Sequence, residues 1–227
     1  MAIKLHYTVV GSGEPLVLLH GNGESSAYFT AQKEFFSDYY RVIALDTRGH
    51  GSSPRGTKEF TLAQFVEDLK NFLDEQALTH INLLGFSDGG NIALLFALKY
   101  PTYIKKMILN GANLFADGLR GEELIPLCIT YGKVAERTKT DTTAIAQKEL
   151  LALMIKEPRL QATELAVLSM PVLVLAGTKD MVRDEHTRLI AASIPGAELC
   201  ILPGDHFIAA TASASFNAHV LAFLKSS

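Results

Sequence analysis

The sequence predicts an α/β fold in which one mostly parallel sheet has helices on both faces and carries a small inserted helical cap. Short apolar runs alternate with longer helical patterns through most of the 227 residues, an alternation typical of βαβ units. Runs such as PVLVLAG at 171–177 are apolar at nearly every position, as strands buried on both faces are. Between 112 and 168, helical patterns follow one another with no strand between them. We therefore expect residues 1–111 and 169–227 to form one core and residues 112–168 to form the cap.

The first elements begin with IKLHYTVV at 3–10, which alternates apolar and polar residues and precedes the turn GSGEP. This pattern predicts an edge strand paired in a hairpin with PLVLLH at 15–20. A helix is expected near 26–37. A buried strand is expected at 41–46, where RVIALD is almost wholly apolar.

The remaining elements follow the irregular loop TRGHGSSPRG. Thr61 can cap a helix that ends near Gln76, because apolar residues recur there at spacings of three and four. The later strands are expected at 81–85, 104–111, 171–177 and 197–203, and the later core helices at 91–101, 184–194 and 211–225. In the cap, two or three helices are expected, near 121–136, 142–156 and 159–168.

The composition is that of an ordinary globular protein, with 48% hydrophobic and 20% charged residues. A formal net charge of −3 provides no basic field for a phosphate backbone, so we expect no nucleic-acid partner. No apolar run approaches the roughly 20 residues that span a bilayer, and the N-terminus lacks the pattern of a secretory signal. We expect no membrane association and, by default, a cytoplasmic location. Nothing in the pattern specifies an oligomeric state.

The motif GFSDG, residues 85–89, places Ser87 between two glycines, after a buried-type strand and before a helix. A serine nucleophile needs an exposed oxygen and a base within hydrogen-bond reach. A G-x-S-x-G turn from strand to helix supplies the exposure. Ser87 is therefore the candidate nucleophile.

His206, in LPGDHF, is the candidate base because it follows the last predicted strand. Asp180, in GTKDMV after PVLVLA, is the candidate acid that orients the imidazole. Asp205 is the weaker candidate, since neighbouring side chains on an extended loop point apart. The other histidines are expected to be solvated (His80, His186 and His219), to shape loops (His20 and His50) or to belong to the edge strand (His6).

Two backbone amides are candidates for an oxyanion hole, those of Asn22 in HGNG and Asp88 directly after Ser87. Only the main chain is needed for this role. No complete dinucleotide fingerprint, phosphate loop, HExxH motif or cluster of cysteine and histidine occurs. We therefore expect neither a cofactor nor a metal.

Taken in order, HGNG, DTRGHGSS, GFSDGG, GTKD and GDHF resemble the α/β-hydrolase superfamily over nearly the whole chain apart from the cap. GFSDGG with KYPTYIKKMILNGAN is similar to the branch of biphenyl hydrolase-like proteins and valacyclovir hydrolase. In that branch the aspartate after the nucleophile recognises the substrate's α-amino group, so the resemblance implies that role for Asp88. The alternative is that a carboxylate in the first turn of a helix is favoured by the helix dipole, by roughly 0.3 to 1 kcal/mol.

The function expected from these residues is hydrolysis of small carboxylic esters, such as amino-acyl or other short acyl esters, through an acyl-enzyme on Ser87. Two alternatives stay open. The same triad could serve carbon–carbon bond hydrolysis, lactone opening, perhydrolysis or acyl transfer, or the fold could sense a ligand with little turnover. Dehalogenase and epoxide hydrolase chemistry is disfavoured, because those relatives use an aspartate as the nucleophile.

Overall fold

The structure, a computed structural model, describes residues 3–226 and contains a seven-stranded sheet. Its strands are β1 (Tyr7–Val10), β2 (Pro15–Leu19), β3 (Arg41–Leu45), β4 (Ile81–Phe86), β5 (Ile104–Asn110), β6 (Val172–Lys179) and β7 (Glu198–Asp205). The strand order is β1-β3-β2-β4-β5-β6-β7, and every pairing is parallel except that of β1 with β3. The predicted α/β fold with a mostly parallel sheet is confirmed.

Eight α-helices connect or flank these strands in the described residues. They are α1 (Thr30–Phe36), α2 (Leu62–Glu75), α3 (Asp88–Lys99), α4 (Gly121–Arg137), α5 (Ala144–Lys156), α6 (Asp184–Ser193), α7 (Ile208–Thr211) and α8 (Ser213–Lys225). Short 3₁₀ helices occupy Ser26–Phe29, Pro101–Tyr103, Ala116–Gly118 and Ala162–Val167. Thr61 caps α2 as predicted, its side chain accepting a hydrogen bond of 3.1 Å from the Gln64 amide. None of the helices within 3–226 is long and apolar enough to cross a membrane.

The hairpin expected between the first two strands is wrong. β2 is buried from Leu16 to Leu19 and has β3 on one side and β4 on the other, both parallel to it. Neither edge of β2 is therefore available to β1. β1, which is half-buried to exposed, pairs antiparallel with the free edge of β3, Tyr7 opposite Leu45. The prediction that β1 is an edge strand is confirmed.

Successive residues of the strands face two separate cores, because side chains alternate across a sheet. Leu16 and Leu18 of β2 pack in the core beneath α1 and α8, whereas Val17 and Leu19 pack in the core beneath α2, α3 and α6. Burial on both faces explains why these strands read as continuous apolar runs. It also leaves the loops at the carboxyl ends of the strands as the place for polar chemistry.

The alternation of strands and helices is interrupted between β5 and β6, where α4 and α5 pack against each other. The third helix expected there, near 159–168, is only the 3₁₀ helix Ala162–Val167. Leu160, Leu165 and Leu168 are all buried in the core, and the Leu160 amide donates to the Leu114 carbonyl. These contacts hold the segment against the core of the sheet.

Candidate active site

Ser87 lies at a sharp turn between β4 and α3. Its backbone angles are φ 54° and ψ −121°, a strained conformation for a residue other than glycine. The amides of Gly90 and Asn91 both donate to the Ser87 carbonyl, and the Ser87 amide donates to the Asn110 carbonyl. α3 therefore begins at Asp88, three residues earlier than the start expected from the apolar pattern.

The glycines on either side of Ser87 are required by close backbone contacts. A Cβ atom on Gly85 would lie 2.2 Å from the Gly89 carbonyl oxygen, and one on Gly89 would lie 2.1 Å from the Leu19 carbonyl oxygen. Any larger residue at either position would push α3 away from the sheet. The G-x-S-x-G spacing is thus a packing requirement of the turn that exposes the serine hydroxyl.

Ser87, His206 and Asp180 meet at the carboxyl edge of the sheet, because each directly follows the end of a parallel strand. The distance from His206 Nε2 to Ser87 Oγ is 2.9 Å, and that from His206 Nδ1 to Asp180 Oδ1 is 2.7 Å. His206 and Asp180 are buried, whereas Ser87 is partly exposed. With Nδ1 donating to the carboxylate, Nε2 is the ring nitrogen that can accept the serine proton.

The Asp180 carboxylate is fixed by its own loop, since the Val182 amide donates to Oδ1 at 2.9 Å and the Gly177 amide to Oδ2 at 3.4 Å. Asp205 instead accepts hydrogen bonds from the Phe207 amide and the Thr211 hydroxyl, and it does not contact the imidazole through a hydrogen bond. Of the two carboxylates considered from the sequence, Asp180 is therefore the one that orients His206.

The loop of Asp180 is also paired with the chain that leads into α4. Leu119 and Val182 form an isolated antiparallel bridge. On either side of it, the Arg120 amide donates to the Met181 carbonyl at 2.8 Å, and the Arg183 amide donates to the Gly118 carbonyl at 2.9 Å. The Arg120 guanidinium adds a bond of 2.7 Å from Nε to the Asp180 carbonyl.

The predicted loop-shaping roles of His20 and His50 are confirmed. His20 Nε2 accepts from the Thr47 amide at 3.0 Å and Nδ1 bonds the Gly21 carbonyl at 2.7 Å, while His50 Nε2 accepts from the Gly23 amide at 3.2 Å. Burial lowers the pKa of His20 to about 4, so its imidazole is neutral at physiological pH. Burial also lowers the pKa of His50, and both rings hold the HGNG loop through hydrogen bonds.

The expectation that His186 is solvated is wrong. Its side chain is buried, and Nε2 accepts from the Leu114 amide at 2.9 Å. Burial lowers the pKa of His186 to about 4. The helical pattern of α6 identified a surface helix but not which of its faces turns inward. His80 and His219 are exposed, as expected.

The HGNG loop lies directly against the turn of Ser87. A Cβ atom on Gly21 would come within 3.2 Å of Ser87 Cβ. In residues 3–226, the backbone amides of Asn22 and Asp88 donate to no other protein group. Two free N–H groups beside a serine hydroxyl are suited to stabilise negative charge on a reacting carbonyl oxygen.

The Asp88 carboxylate is buried next to the serine. Oδ2 accepts from Asn22 Nδ2 at 2.8 Å, and Oδ1 accepts from Asn91 Nδ2 at 3.4 Å. Burial raises the pKa of Asp88 to about 6, although both amide hydrogen bonds act in the opposite direction. The carboxyl group is ionised above about pH 6, and its ionisation in this buried place costs free energy.

Three side chains near the site were not singled out from the sequence. The Asn22 side chain bonds Asp88, whereas only its backbone was considered. Glu24 Oε2 and the Tyr28 hydroxyl are buried with no hydrogen-bond partner within the described chain, and burial raises the pKa of both groups. The Tyr28 ring stacks on Phe86, with centroids 4.4 Å apart. Asn22 and Glu24 could have been found as the polar residues that follow His20 and Gly21 in the HGNG loop. No sequence pattern indicated Tyr28.

The chain is similar to known proteins in sequence and in fold. A family model described as alpha/beta hydrolase fold matches residues 14–126. Serine hydrolase BPHL of Mus musculus is 30% identical, over 98% of this chain and 84% of the relative, and that of Homo sapiens is 30% identical over 90% and 77%. A thermophilic esterase from Thermogutta terrifontis has a TM-score of 0.82 at 24% identity, covering 98% of this chain and 93% of the esterase. An enol-lactonase from Burkholderia xenovorans has a TM-score of 0.82 at 22% identity, covering 99% and 97%. Both of these solved structures share the fold of this chain.

Proposed function

The chain belongs to the α/β-hydrolase family of enzymes, and we propose that it is a serine hydrolase of small carboxylic esters that uses Ser87, His206 and Asp180. The observation that carries this proposal is the continuous hydrogen-bonded chain from Asp180 through His206 to Ser87, with bonds of 2.7 and 2.9 Å. The 30% identity to proteins named serine hydrolase also supports it.

In the proposed reaction, His206 Nε2 takes the proton from Ser87 Oγ while the oxygen attacks the ester carbonyl. The tetrahedral intermediate collapses as the imidazolium returns the proton to the leaving alcohol, and an acyl-serine remains. Water, deprotonated by His206, then attacks the acyl group, and the imidazolium returns this proton to Ser87 Oγ as the carboxylic acid is released. Asp180 stabilises the imidazolium in both halves of the reaction.

The backbone amides of Asn22 and Asp88 are proposed to bind the oxyanion in each tetrahedral intermediate. Their free N–H groups and the proximity of the HGNG loop to Ser87 support this role. The loss of one such donor typically costs roughly 10²- to 10³-fold in kcat. A helix N-terminus adds favourable potential at Asp88, which is the first residue of α3.

Residues 112–168 are proposed to form a cap over the site. Two contacts support this placement: Asn22 Nδ2 donates to the Leu150 carbonyl of α5 at 3.0 Å, and Arg55 forms an ion pair with Glu149. Both join α5 to loops at the carboxyl edge of the sheet. The cap would then line the space that receives the acyl or alcohol group.

Asp88 is proposed to recognise a positively charged amino group on the acyl part of the substrate. Its Oδ1 has only one long hydrogen bond, of 3.4 Å, and the carboxylate lies beside the serine. A charged hydrogen bond in such a buried place is worth about 1.5 to 3 kcal/mol. We therefore expect esters with an α-amino group to be preferred over neutral esters of the same size.

The nucleophile is tested with a fluorophosphonate probe and a panel of chromogenic esters. The native protein should be labelled and should hydrolyse the esters, and Ser87→Ala should lose labelling and at least about 10³-fold in kcat. Ser215→Ala, which changes an exposed serine on α8, serves as the matched control and should behave as the native protein. Equal labelling of native protein and Ser87→Ala would refute the assignment of Ser87.

The role of Asp88 is tested with two esters that differ only in an α-ammonium group. Asp88→Asn should lower kcat/KM for the cationic ester by about 10- to 100-fold and leave the neutral ester within about 3-fold. Asp38→Asn removes an exposed carboxylate and should change neither ester. An equal loss on both esters would exclude recognition of the amine by Asp88.

A further inference from the structure

The Asn22 side chain joins the two segments that carry the proposed oxyanion donors. Its Nδ2 has two hydrogens, and both are used: one bonds Asp88 Oδ2 at 2.8 Å and the other bonds the Leu150 carbonyl at 3.0 Å. Asn22 and Asp88 are the same residues whose backbone amides are free beside Ser87. A side-chain bond therefore fixes the distance between two donors that must act on one oxygen.

A longer chain of hydrogen bonds extends from this pair. Asn91 Nδ2 donates to Asp88 Oδ1 at 3.4 Å and to Asn113 Oδ1 at 3.0 Å, and the Asn113 amide donates to Asn91 Oδ1 at 2.9 Å. Asn113 lies near the start of the 112–168 segment, and Leu150 lies in its second helix. The Asp88 carboxylate is thus the centre of a polar chain that begins and ends in the proposed cap.

Neutral hydrogen bonds also hold the HGNG loop near Asn22. They are 2.7 Å from His20 Nδ1 to the Gly21 carbonyl, 3.2 Å from the Gly23 amide to His50 and 3.3 Å from the Glu24 amide to the Gly21 carbonyl. The bond from Asn22 to Asp88 involves a buried carboxylate, and hydrogen bonds to charged groups are about twice as strong as neutral ones. The bond from Asn22 to Asp88 therefore adds a charged restraint that links the loop to the segment carrying the second amide.

We propose, on the basis of the function proposed above, that the Asn22 and Asp88 side chains form a strut that positions the two oxyanion-binding amides and ties them to helix α5. Both act here as positioning residues. The strut uses Asp88 Oδ2 and leaves Oδ1 for a substrate amine. Because Asn22 also bonds α5, undocking of α5 would remove one of the two bonds that hold the Asn22 side chain.

The kinetic test compares Asn22→Ala, Asp88→Ala, the double variant and Asp88→Asn on a neutral ester. Asn22→Ala and Asp88→Ala should each lower kcat about 10- to 100-fold with KM within about 3-fold. The kcat of the double variant should fall no further than that of either single variant, because both changes break the same bond between Asn22 and Asp88. Asp88→Asn keeps an acceptor oxygen for Asn22, so it should lose less kcat than Asp88→Ala. Asn71→Ala, on the surface of α2, is the matched control.

Binding of a trifluoromethyl ketone separates positioning of the hole from general damage. The ketone forms a hemiketal with Ser87 and places an oxyanion in the hole. Its affinity for Asn22→Ala and for Asp88→Ala should therefore weaken by the same factor as kcat. Three results would each overturn the strut. The first is a loss of kcat in the double variant equal to the product of the two single losses, and the second is an effect confined to KM. The third is a loss of kcat in Asp88→Asn as large as that in Asp88→Ala.

Hydrogen exchange tests the link to α5 without any turnover. Asn22→Ala should speed exchange of the α5 amides about 10-fold relative to the native protein and Asn71→Ala. Unchanged exchange in α5 would overturn the coupling. If the native protein hydrolyses no ester and binds no fluorophosphonate, the proposed function fails and the positioning of an oxyanion hole fails with it. The exchange result then still decides whether Asn22 ties the loop to α5.

Discussion

Replacing Asp88 by asparagine should stabilise the protein at neutral pH, and the gain should disappear in acid. Burial raises the pKa of Asp88 from 3.8 to about 6, so the folded state opposes ionisation of this carboxyl. Between these two values the folded protein binds more protons than the unfolded chain, and stability falls as the pH rises. Asparagine has a similar shape, still offers an oxygen to Asn22, and carries no charge to bury.

The size of the effect follows from the two pKa values. At about 1.4 kcal/mol for each pKa unit, a rise from 3.8 to about 6 amounts to about 3 kcal/mol once both states are fully ionised. Roughly 2 kcal/mol of this difference develops between pH 4.5 and 7.5, because part of it has already appeared below pH 4.5. Any constant effect of the new amide cancels in the comparison across pH.

The assay is urea unfolding of the native protein and Asp88→Asn at a series of pH values. The chain contains no tryptophan, so far-UV circular dichroism is the suitable signal. The free energy of unfolding of Asp88→Asn minus that of the native protein should rise with pH and level off above about pH 7. A difference that stays constant within about 0.5 kcal/mol from pH 4.5 to 7.5 would refute the reasoning, since it would mean that the carboxyl is hydrated and titrates normally.

Three other substitutions have defined expectations. Gly111→Ala places a Cβ atom 2.6 Å from His206 Cε1, so it should displace the imidazole and lower kcat about 10²-fold. Arg48→Met leaves the fully buried Asp68 carboxylate without its ion pair of 2.6 Å. Urea unfolding should show that the free energy of unfolding falls by about 3 to 5 kcal/mol, and that adding Asp68→Leu largely restores it. Tyr28→Phe removes a buried hydroxyl that has no hydrogen-bond partner among residues 3–226 and should raise the free energy of unfolding by about 1 kcal/mol.

Each of these changes has a matched control. Gly196→Ala is the control for Gly111→Ala. Gly196 has a similar positive φ, 71° compared with 65° at Gly111, but a Cβ atom there would have nothing within 4 Å. Equal losses of kcat in the two glycine variants would therefore contradict the contact with the imidazole. Tyr39→Phe removes an exposed hydroxyl and should change stability by less than about 0.5 kcal/mol. If Arg48→Met with Asp68→Leu were no more stable than Arg48→Met alone, this would contradict the account of the buried ion pair.

The succession of strands along the chain could be predicted from the sequence because the central strands β2 to β6 are buried on both faces and read as apolar runs. The same local pattern could not identify the partner of β1, since pairing depends on which strand edges remain free after β2, β3 and β4 have assembled. His186 shows a related limit. Its helix was predicted, but its burial depends on a contact with Leu114, which is 72 residues away.

The candidate site divides in the same way. Ser87, His206 and Asp180 could be named because parallel strands bring their carboxyl ends to one edge, and each residue follows such an end. The bonds of Asn22 to Asp88 and to Leu150 join residues 66 and 128 positions apart. They arise from the packing of α5 against the core, and no periodicity or motif in the sequence marks them.

The bridge between Leu119 and Val182 determines where chimeras of this protein can be cut. A graft that exchanges residues 121–156 for the helices of a relative keeps both halves of the bridge, and the loop that holds Asp180 keeps its support. A graft that begins before Gly118 deletes one half and exposes that loop to rearrangement. Libraries that exchange these helices should therefore place their upstream junction after Arg120, so that the loop of Asp180 keeps its backbone contacts.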